Sequence, residues 1–168
     1  MSKYYAGIGS RETPSDILSL MTKIATKLQK DGFTLRSGGA FGADTAFSRG
    51  CNIKQIFIPW GDYNNHPMSF QIPYEAFSIA KIFHPGWDRL SDGAKKLMAR
   101  NVMQVLGPDL NTPSNFVICW TKDGCINEDE RSNKTGGTGQ AIAIASRYGI
   151  PVFNLARPEH LSRFDFLK

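Results

Sequence analysis

The sequence has no long hydrophobic run. No stretch approaches the ~20 consecutive apolar residues that a membrane span needs. The opening residues, Met1-Ser2-Lys3-Tyr4-Tyr5-Ala6-Gly7, lack the charged start and long apolar core of a secretory signal. Cysteine is scarce: Cys51, Cys119 and Cys125 make an odd set without metal-ligand spacing, and only three histidines accompany them. These numbers support neither a disulfide framework nor a zinc site. A reduced, cytoplasmic protein with no membrane contact, no metal and no cofactor is expected. Charge of one sign is not in large excess either. Twenty Lys and Arg face 15 Asp and Glu, a net charge of +5. That surplus suits a phosphate-bearing partner, but it is also common in proteins that touch no nucleic acid.

What the chain does have is an ordinary globular make-up, 168 residues of which 41% are hydrophobic. This fits a single domain over residues 1–168 and argues against disorder. Short β-type runs alternate with helical ones. Strands are predicted over residues 4–9, 33–36, 53–58, 116–120 and 150–155. The 116–120 run is almost wholly apolar, as in a strand covered on both faces. Helical spacing appears in Ile17, Leu18, Met21, Ile24, Ala25 and Leu28, and a short helix is expected to end near Gly50. Two more helices are expected over 91–106 and 140–148. Residues 60–73 and 122–134 read as loops. The alternation predicts an α/β fold, a single Rossmann-like domain with a mostly parallel sheet and helices on both faces. Function in such sheets sits at the carboxyl ends of the strands, near the switch in strand order.

Three Gly-rich segments each follow a predicted strand and precede a predicted helix: Gly7-Ile8-Gly9-Ser10-Arg11, Ser37-Gly38-Gly39-Ala40-Phe41-Gly42-Ala43-Asp44, and Thr135-Gly136-Gly137-Thr138-Gly139-Gln140. Glycine lets main chain approach a ligand closely, and a helix N-terminus offers unpaired N–H groups to an anion. Ser10, Ser37, Thr135 and Thr138 add hydroxyls, and Arg11 a planar fork suited to phosphate. None of the three is a dinucleotide fingerprint or a P-loop. Any one alone is a tight turn; all three on one sheet edge point to a shared anion or nucleotide pocket.

Arg100-Asn101 falls in the 91–106 helix, where an Arg ordinarily faces solvent; in a nucleotide pocket it would neutralise phosphate. Trp87 and Trp120 stand at the ends of predicted elements, where they could stack on a base, although aromatics are core residues by default. Catalytic groups are poorly specified. Glu12 and Asp44 are the carboxylate candidates, with Asp62 and Asp88 behind them, and His66 and His84 each precede a proline in a loop.

Gly9-Ser10-Arg11, Ser37 to Asp44 and Arg100-Asn101 together resemble the Rossmann-like domain of the DNA-processing protein A family, a group of recombination mediators. That family has a Gly-Ser-Arg turn, a Ser-Gly-x-Ala-x-Gly-Ile-Asp turn and an Arg-Asn-Arg element in the same order, and its last βα unit is similar to residues 135–155. The order also resembles the lonely-guy phosphoribohydrolases. Met98-Ala99-Arg100-Asn101 parallels their Met-His-x-Arg-Lys element, and Gly136-Gly137-Thr138-Gly139-Gln140 parallels their Gly-Gly-x-Gly-Thr element.

The resemblance implies a phosphate-bearing nucleotide, or a nucleotide-derived signal, bound by Gly9, Ser10, Arg11, Ser37, Gly38, Gly39, Gly42, Asp44, Arg100, Asn101, Thr135, Gly136, Gly137, Thr138, Gly139 and Gln140. It also implies a homo-oligomer. Two alternatives follow from it: a nucleoside 5′-monophosphate N-glycosidase, and a single-stranded DNA-binding mediator. The phosphoribohydrolase catalytic Glu matches Ala143 here, and Arg-Asn-Val replaces Arg-Asn-Arg.

Overall fold

The alternation of apolar runs resolves into an α/β fold in the computed structural model, which describes residues 3–67 and 70–168. Met1 and Ser2 of the opening segment, and Met68 and Ser69 of the 60–73 loop, lie outside the described residues. Five strands occur among the described residues: β1 (Tyr4–Gly7), β2 (Thr34–Ser37), β3 (Lys54–Ile56), β4 (Phe116–Cys119) and β5 (Val152–Asn154). They form one parallel sheet in the order β3-β2-β1-β4-β5. Tyr5 is in register with Leu35 on one side and with Phe116 on the other. The connecting helices are α1 (Ser15–Lys30), α2 (Ala43–Arg49), α3 (Tyr74–Ile82), α4 (Asp92–Leu106) and α5 (Thr138–Arg147), with a short α6 (Pro158–Leu161) after the last strand. The architecture is Rossmann-like.

Because successive strand residues point to opposite faces, the sheet divides the core in two. Ala6, Val117 and Cys119 pack with α3, α4 and α5. Tyr5, Leu35 and Ile118 pack with α1 and α2. Along α1, Ile17, Leu20, Met21, Ile24 and Ala25 form the buried stripe. Each large aliphatic side chain there contributes about 1.5–3 kcal/mol, more than helix propensity supplies. The α1–α2 contact is close enough for the Thr22 and Thr26 hydroxyls to donate to the carbonyls of Ala46 and Gly50, both at 2.7 Å.

The other layer holds a fully buried cation. Arg36 of β2 donates through Nε to Gln55 Oε1 at 2.9 Å and through Nη1 to Ser114 Oγ at 3.1 Å and to the Thr112 carbonyl. Its guanidinium lies 3.8 Å from the centre of the Tyr4 ring. Burial pushes its pKa down to about 10, against the opposing pull of Tyr4 and Asp109.

Several expected boundaries move. The 91–106 helix starts at Asp92, with the Ser91 hydroxyl accepting from Ala94 N at 3.2 Å as its N-cap. The helix expected from Gln140 starts two residues earlier, at Thr138. The third strand shortens to Lys54–Ile56 and the last to Val152–Asn154. Neither α3 nor α6 was expected. The described part of the 60–73 loop contains a 3₁₀ turn at Tyr63–Asn65.

Candidate functional site

All five strands run the same way, so their carboxyl ends share one edge. The order reverses at β1, whose neighbours β2 and β4 are reached by crossovers on opposite faces. The turns after β1, β2 and β4 therefore converge. They enclose a cavity of about 580 Å³, to which α4 contributes Arg100, Asn101 and Gln104. A cavity of that size suits a small organic ligand.

The first turn is tied to β4. Ile8 N donates to Ile118 O and Ser10 N to Trp120 O, both at 3.1 Å. The Ser10 hydroxyl accepts from Glu12 N at 2.9 Å, and the Ser10 carbonyl accepts from the Thr13 hydroxyl at 2.6 Å. This turn is not a helix N-terminus, because α1 begins only at Ser15, after Pro14. Arg11 and Glu12 stand exposed on the cavity rim instead.

The second turn carries its own anion. Gly42, at φ +87°, brings the chain against Arg11 and Ser10, where a Cβ would lie 3.0 Å from Arg11 Cα. From the first turn of α2, Asp44 reaches back to accept from Ala40 N at 3.2 Å. A carboxyl group thus occupies amides that would otherwise suit a phosphate. The Ser37 hydroxyl is engaged as well, donating to the Gly7 carbonyl at 2.6 Å. Asp44 lines the cavity and is 5% exposed. Burial pushes its pKa up to about 6, opposed by the charge of Arg100 and by the amides and hydroxyl around it.

The third turn is organised by Asp123, a residue that the sequence patterns had not singled out. It accepts from the hydroxyls of Thr121 at 2.9 Å, Ser132 at 2.7 Å and Thr135, and from Cys125 N at 3.2 Å. Partial burial raises this carboxyl, but the hydrogen bonds outweigh burial and hold it below its ordinary value. With residues 132–135 held in this way, Gly136, Gly137 and Thr138 form part of the cavity wall at the N-terminus of α5. The first N–H groups of a helix have no intrahelical partner and carry partial positive charge. Gly139 and Gln140 lie behind the wall. Gln140 accepts from Asn101 Nδ2 at 3.2 Å and donates to the Ala80 carbonyl at 3.1 Å, joining α5 to α4 and α3.

Arg100 is not on a solvated helix face: it is 6% exposed. Its Nε donates to Asn101 Oδ1 at 3.0 Å, and its Nη1 donates to the carbonyls of Phe57, at 3.3 Å, and Gly38. A Cβ on Gly38 would fall on Arg100 Nη1 and Gln104 Nε2, so a larger residue there would displace the ends of both side chains. Among the described residues no carboxylate lies within 4 Å of the guanidinium. The cavity therefore has four cationic side chains on its walls, Arg11, Arg100, Lys122 and Lys134, against Glu12 and Asp44.

Of the predicted residues, Gly9, Ser10, Arg11, Glu12, Asp44, Arg100, Asn101, Thr135, Gly136, Gly137 and Thr138 line the cavity. Ser37, Gly38, Gly39, Gly42, Gly139 and Gln140 shape it from behind. The tryptophans do not line it. Trp87 is buried with α3 and α4, the Lys95 ammonium 5.6 Å from its ring, and Trp120 packs in the α1–α2 layer. The aromatic residue on the cavity wall is Tyr63, which lay unremarked in the 60–73 loop. Gln104, Lys122 and Lys134 were also missed.

Asp62, Asp88, His66 and His84 lie off the cavity. The acidic segment at Glu128–Glu130 turns toward α5, where Glu128 pairs with Arg147 at 2.9 Å. It borders a second, more open cleft that also includes Ala143. No group of three or more His, Cys, Asp or Glu able to hold a metal ion occurs among the described residues. No helix of the described chain is long and apolar enough to cross a membrane. Compared with protein-family models and with curated protein sequences, the chain matches none.

Proposed function

We propose that the protein binds a phosphate-bearing nucleotide in the cavity at the carboxyl edge of its sheet. The observation that carries this reading is Arg100: a buried guanidinium on the cavity wall, fixed by main-chain carbonyls, with Asp44 in its field but, among the described residues, no carboxylate within 4 Å. A buried cation normally has its charge matched, and an incoming oxyanion would match it. The N-terminus of α5 and the rim cations Arg11, Lys122 and Lys134 add to the same field. Basic side chains gathered on one cavity with a single aromatic residue, rather than a continuous basic groove with several aromatic platforms, favour a small ligand over a nucleic-acid strand. Like the resembled families, such a protein would work as a homo-oligomer.

Isothermal titration with a panel of nucleotides tests the reading. At least one is expected to bind, and the double variant Arg11→Ala/Lys134→Ala to weaken it about tenfold or more through loss of charge-assisted contacts. No heat with any nucleotide overturns the proposal.

One observation also supports turnover. Asp44 is a buried carboxyl on the cavity wall with its pKa raised to about 6, a value that lets it donate or accept a proton near neutrality. In a nucleoside monophosphate it would protonate the departing base as the C1′–N bond breaks, and water would add at C1′. Release of free base from a monophosphate panel, lost in Asp44→Asn, is the corresponding assay.

A further inference from the structure

The turn that forms the third wall of the cavity has no apolar anchor of its own. Ser132, Asn133, Lys134, Gly136 and Gly137 are exposed. Among the described residues, neither buried apolar cluster takes a member from residues 127–140. A Cβ on Gly136 would meet nothing within 4 Å. Glycine and exposed polar residues leave such a stretch many conformations, so polar contacts must select the one that faces the cavity.

Those contacts lead away from the cavity to a buried anchor. Asn154 ends β5 and is fully buried. Its main chain is fixed on both sides: it is in register with Cys119 of β4, and its N–H donates to His160 Nδ1 at 2.9 Å. Its side-chain amide is fully used. Oδ1 accepts from Thr121 N at 3.2 Å and from Ala156 N at 3.0 Å. Nδ2 donates to the Cys125 carbonyl at 2.9 Å and to the Thr121 hydroxyl at 2.7 Å. That hydroxyl, also fully buried, has one proton; accepting from Asn154, it turns the proton toward Asp123 Oδ1 at 2.9 Å. Asp123 is itself exposed, so its carboxylate is aimed by the two donors that reach Oδ1, the Thr121 hydroxyl and Cys125 N at 3.2 Å. Its Oδ2 is then placed to accept from the hydroxyls of Ser132, at 2.7 Å, and Thr135. Thr135 lies on the cavity wall, directly before Gly136, Gly137 and Thr138.

We propose that Thr121, which does not line the cavity, is a positioning residue for the ligand: its hydroxyl couples the buried end of β5 to the turn before α5 and holds the N–H groups there in place before an anion arrives. The inference rests on the nucleotide reading above and assigns part of its affinity to a residue behind the wall. A ligand that meets a turn already in place loses less to ordering it. Removing the hydroxyl leaves the anchor itself intact, because Asn154 Nδ2 keeps the Cys125 carbonyl and the exposed Asp123 can turn to water.

The test compares the wild-type chain with Thr121→Val, which keeps the shape of threonine without its hydroxyl, and Thr121→Ser, which keeps the hydroxyl. Each is titrated with the nucleotide that binds wild type most tightly from a panel of the mono-, di- and triphosphates of the common nucleosides. The Val variant is expected to bind about threefold to tenfold more weakly, and the Ser variant within about twofold of wild type. Amide exchange over residues 132–138 should accelerate in the Val variant and not in the Ser variant. A Val variant less stable to urea yet as tight a binder as wild type overturns the inference, since a purely structural role gives that result. A Ser variant as weak as the Val variant overturns it as well. Should the Val variant fail to fold, Ser132→Ala removes an exposed hydroxyl from Asp123 outside the cavity. It should weaken binding about twofold to fivefold, and unchanged affinity there overturns the inference. Each of these failures leaves the nucleotide reading standing, whereas a wild-type chain that binds no nucleotide of the panel overturns both.

Discussion

Replacing Asp44 by Asn should make the protein more stable at neutral pH, although it removes a charged residue from beside an arginine. The buried Asp44 carboxyl has its pKa raised from 3.8 to about 6, first by desolvation. The groups facing it are Arg100 from α4 and, from the turn after β2, the Ser37 hydroxyl and the amides of Gly38 and Ala40. All of them favour the ionised form, and burial outweighs them. A pKa raised on folding means that the folded state holds its proton more tightly than the unfolded chain does. Stability from this group is complete below pH ~3.8, declines as pH rises, and is lost above about 6. The shift of roughly two units corresponds to about 3 kcal/mol. Asn mimics the neutral acid and still offers an oxygen to Ala40 N. Urea unfolding of wild type and Asp44→Asn at intervals from pH 4 to 8 measures the effect. Asp109, Asp123 and Glu159 are shifted downward and contribute in both proteins, so the informative quantity is the difference between the two curves. That difference should grow in the variant's favour by about 2.4 kcal/mol between pH 4 and 7, or roughly 5–10 °C in Tm. A difference that stays flat across this range would refute the argument.

Three further outcomes are expected. Arg36→Ala empties a fully buried site and removes the hydrogen bonds to Gln55 Oε1, the Thr112 carbonyl and Ser114 Oγ, and should cost about 3 kcal/mol or more in denaturant unfolding; a loss below about 1 kcal/mol would contradict the accounting. Asp123→Ala releases the hydroxyls of Thr121, Ser132 and Thr135, so amide exchange over residues 132–137 should accelerate about tenfold while the sheet amides keep their protection; unchanged exchange there would show that the turn holds itself. Cys51, Cys119 and Cys125 are buried, and burial is the main reason that all three thiols are pushed up. A thiol reagent should therefore react slowly with native protein and rapidly with three equivalents once urea is added, and fast reaction of the native chain would contradict that burial.

The fold was largely legible because its signals are local: apolar runs of strand length, helical spacing in α1 and α4, and glycines at the strand ends. What was not legible depended on packing. Arg100 reads as a solvated residue on a helix with Lys95 and Lys96 nearby. It is buried because its guanidinium turns onto the segments that follow β2 and β3, where the Gly38 and Phe57 carbonyls accept from it, and those partners lie 62 and 43 residues away in sequence. Trp87 and Trp120 sit at element ends, as the sequence suggested, but the position of an aromatic along the chain does not say which face of the sheet receives it. Tyr63 shows the converse. It lies in a loop rich in Asn and Asp, and only the left-handed backbone around it brings its ring to the cavity. The three glycine turns converge as expected, yet their uses differ. The first is no helix terminus, the second already holds a carboxyl group, and the third is shaped by an aspartate twelve residues before Thr135.

The strand order has a consequence for the life of the chain. The cavity takes residues 8–12 and 40–44 from the first third of the sequence and residues 97–104 and 122–138 from later segments. During synthesis, β1, α1, β2 and α2 emerge first and can cover one face of the sheet. The cavity does not exist until β4 has docked on the far side of β1 and α5 has folded behind it. Ligand binding is then linked to completed assembly alone. At a hundred times its Kd, a ligand would add about 2.7 kcal/mol to global unfolding and nothing to a chain halted before α5. Occupancy of this cavity would report that β4 and α5 have joined the earlier half of the sheet.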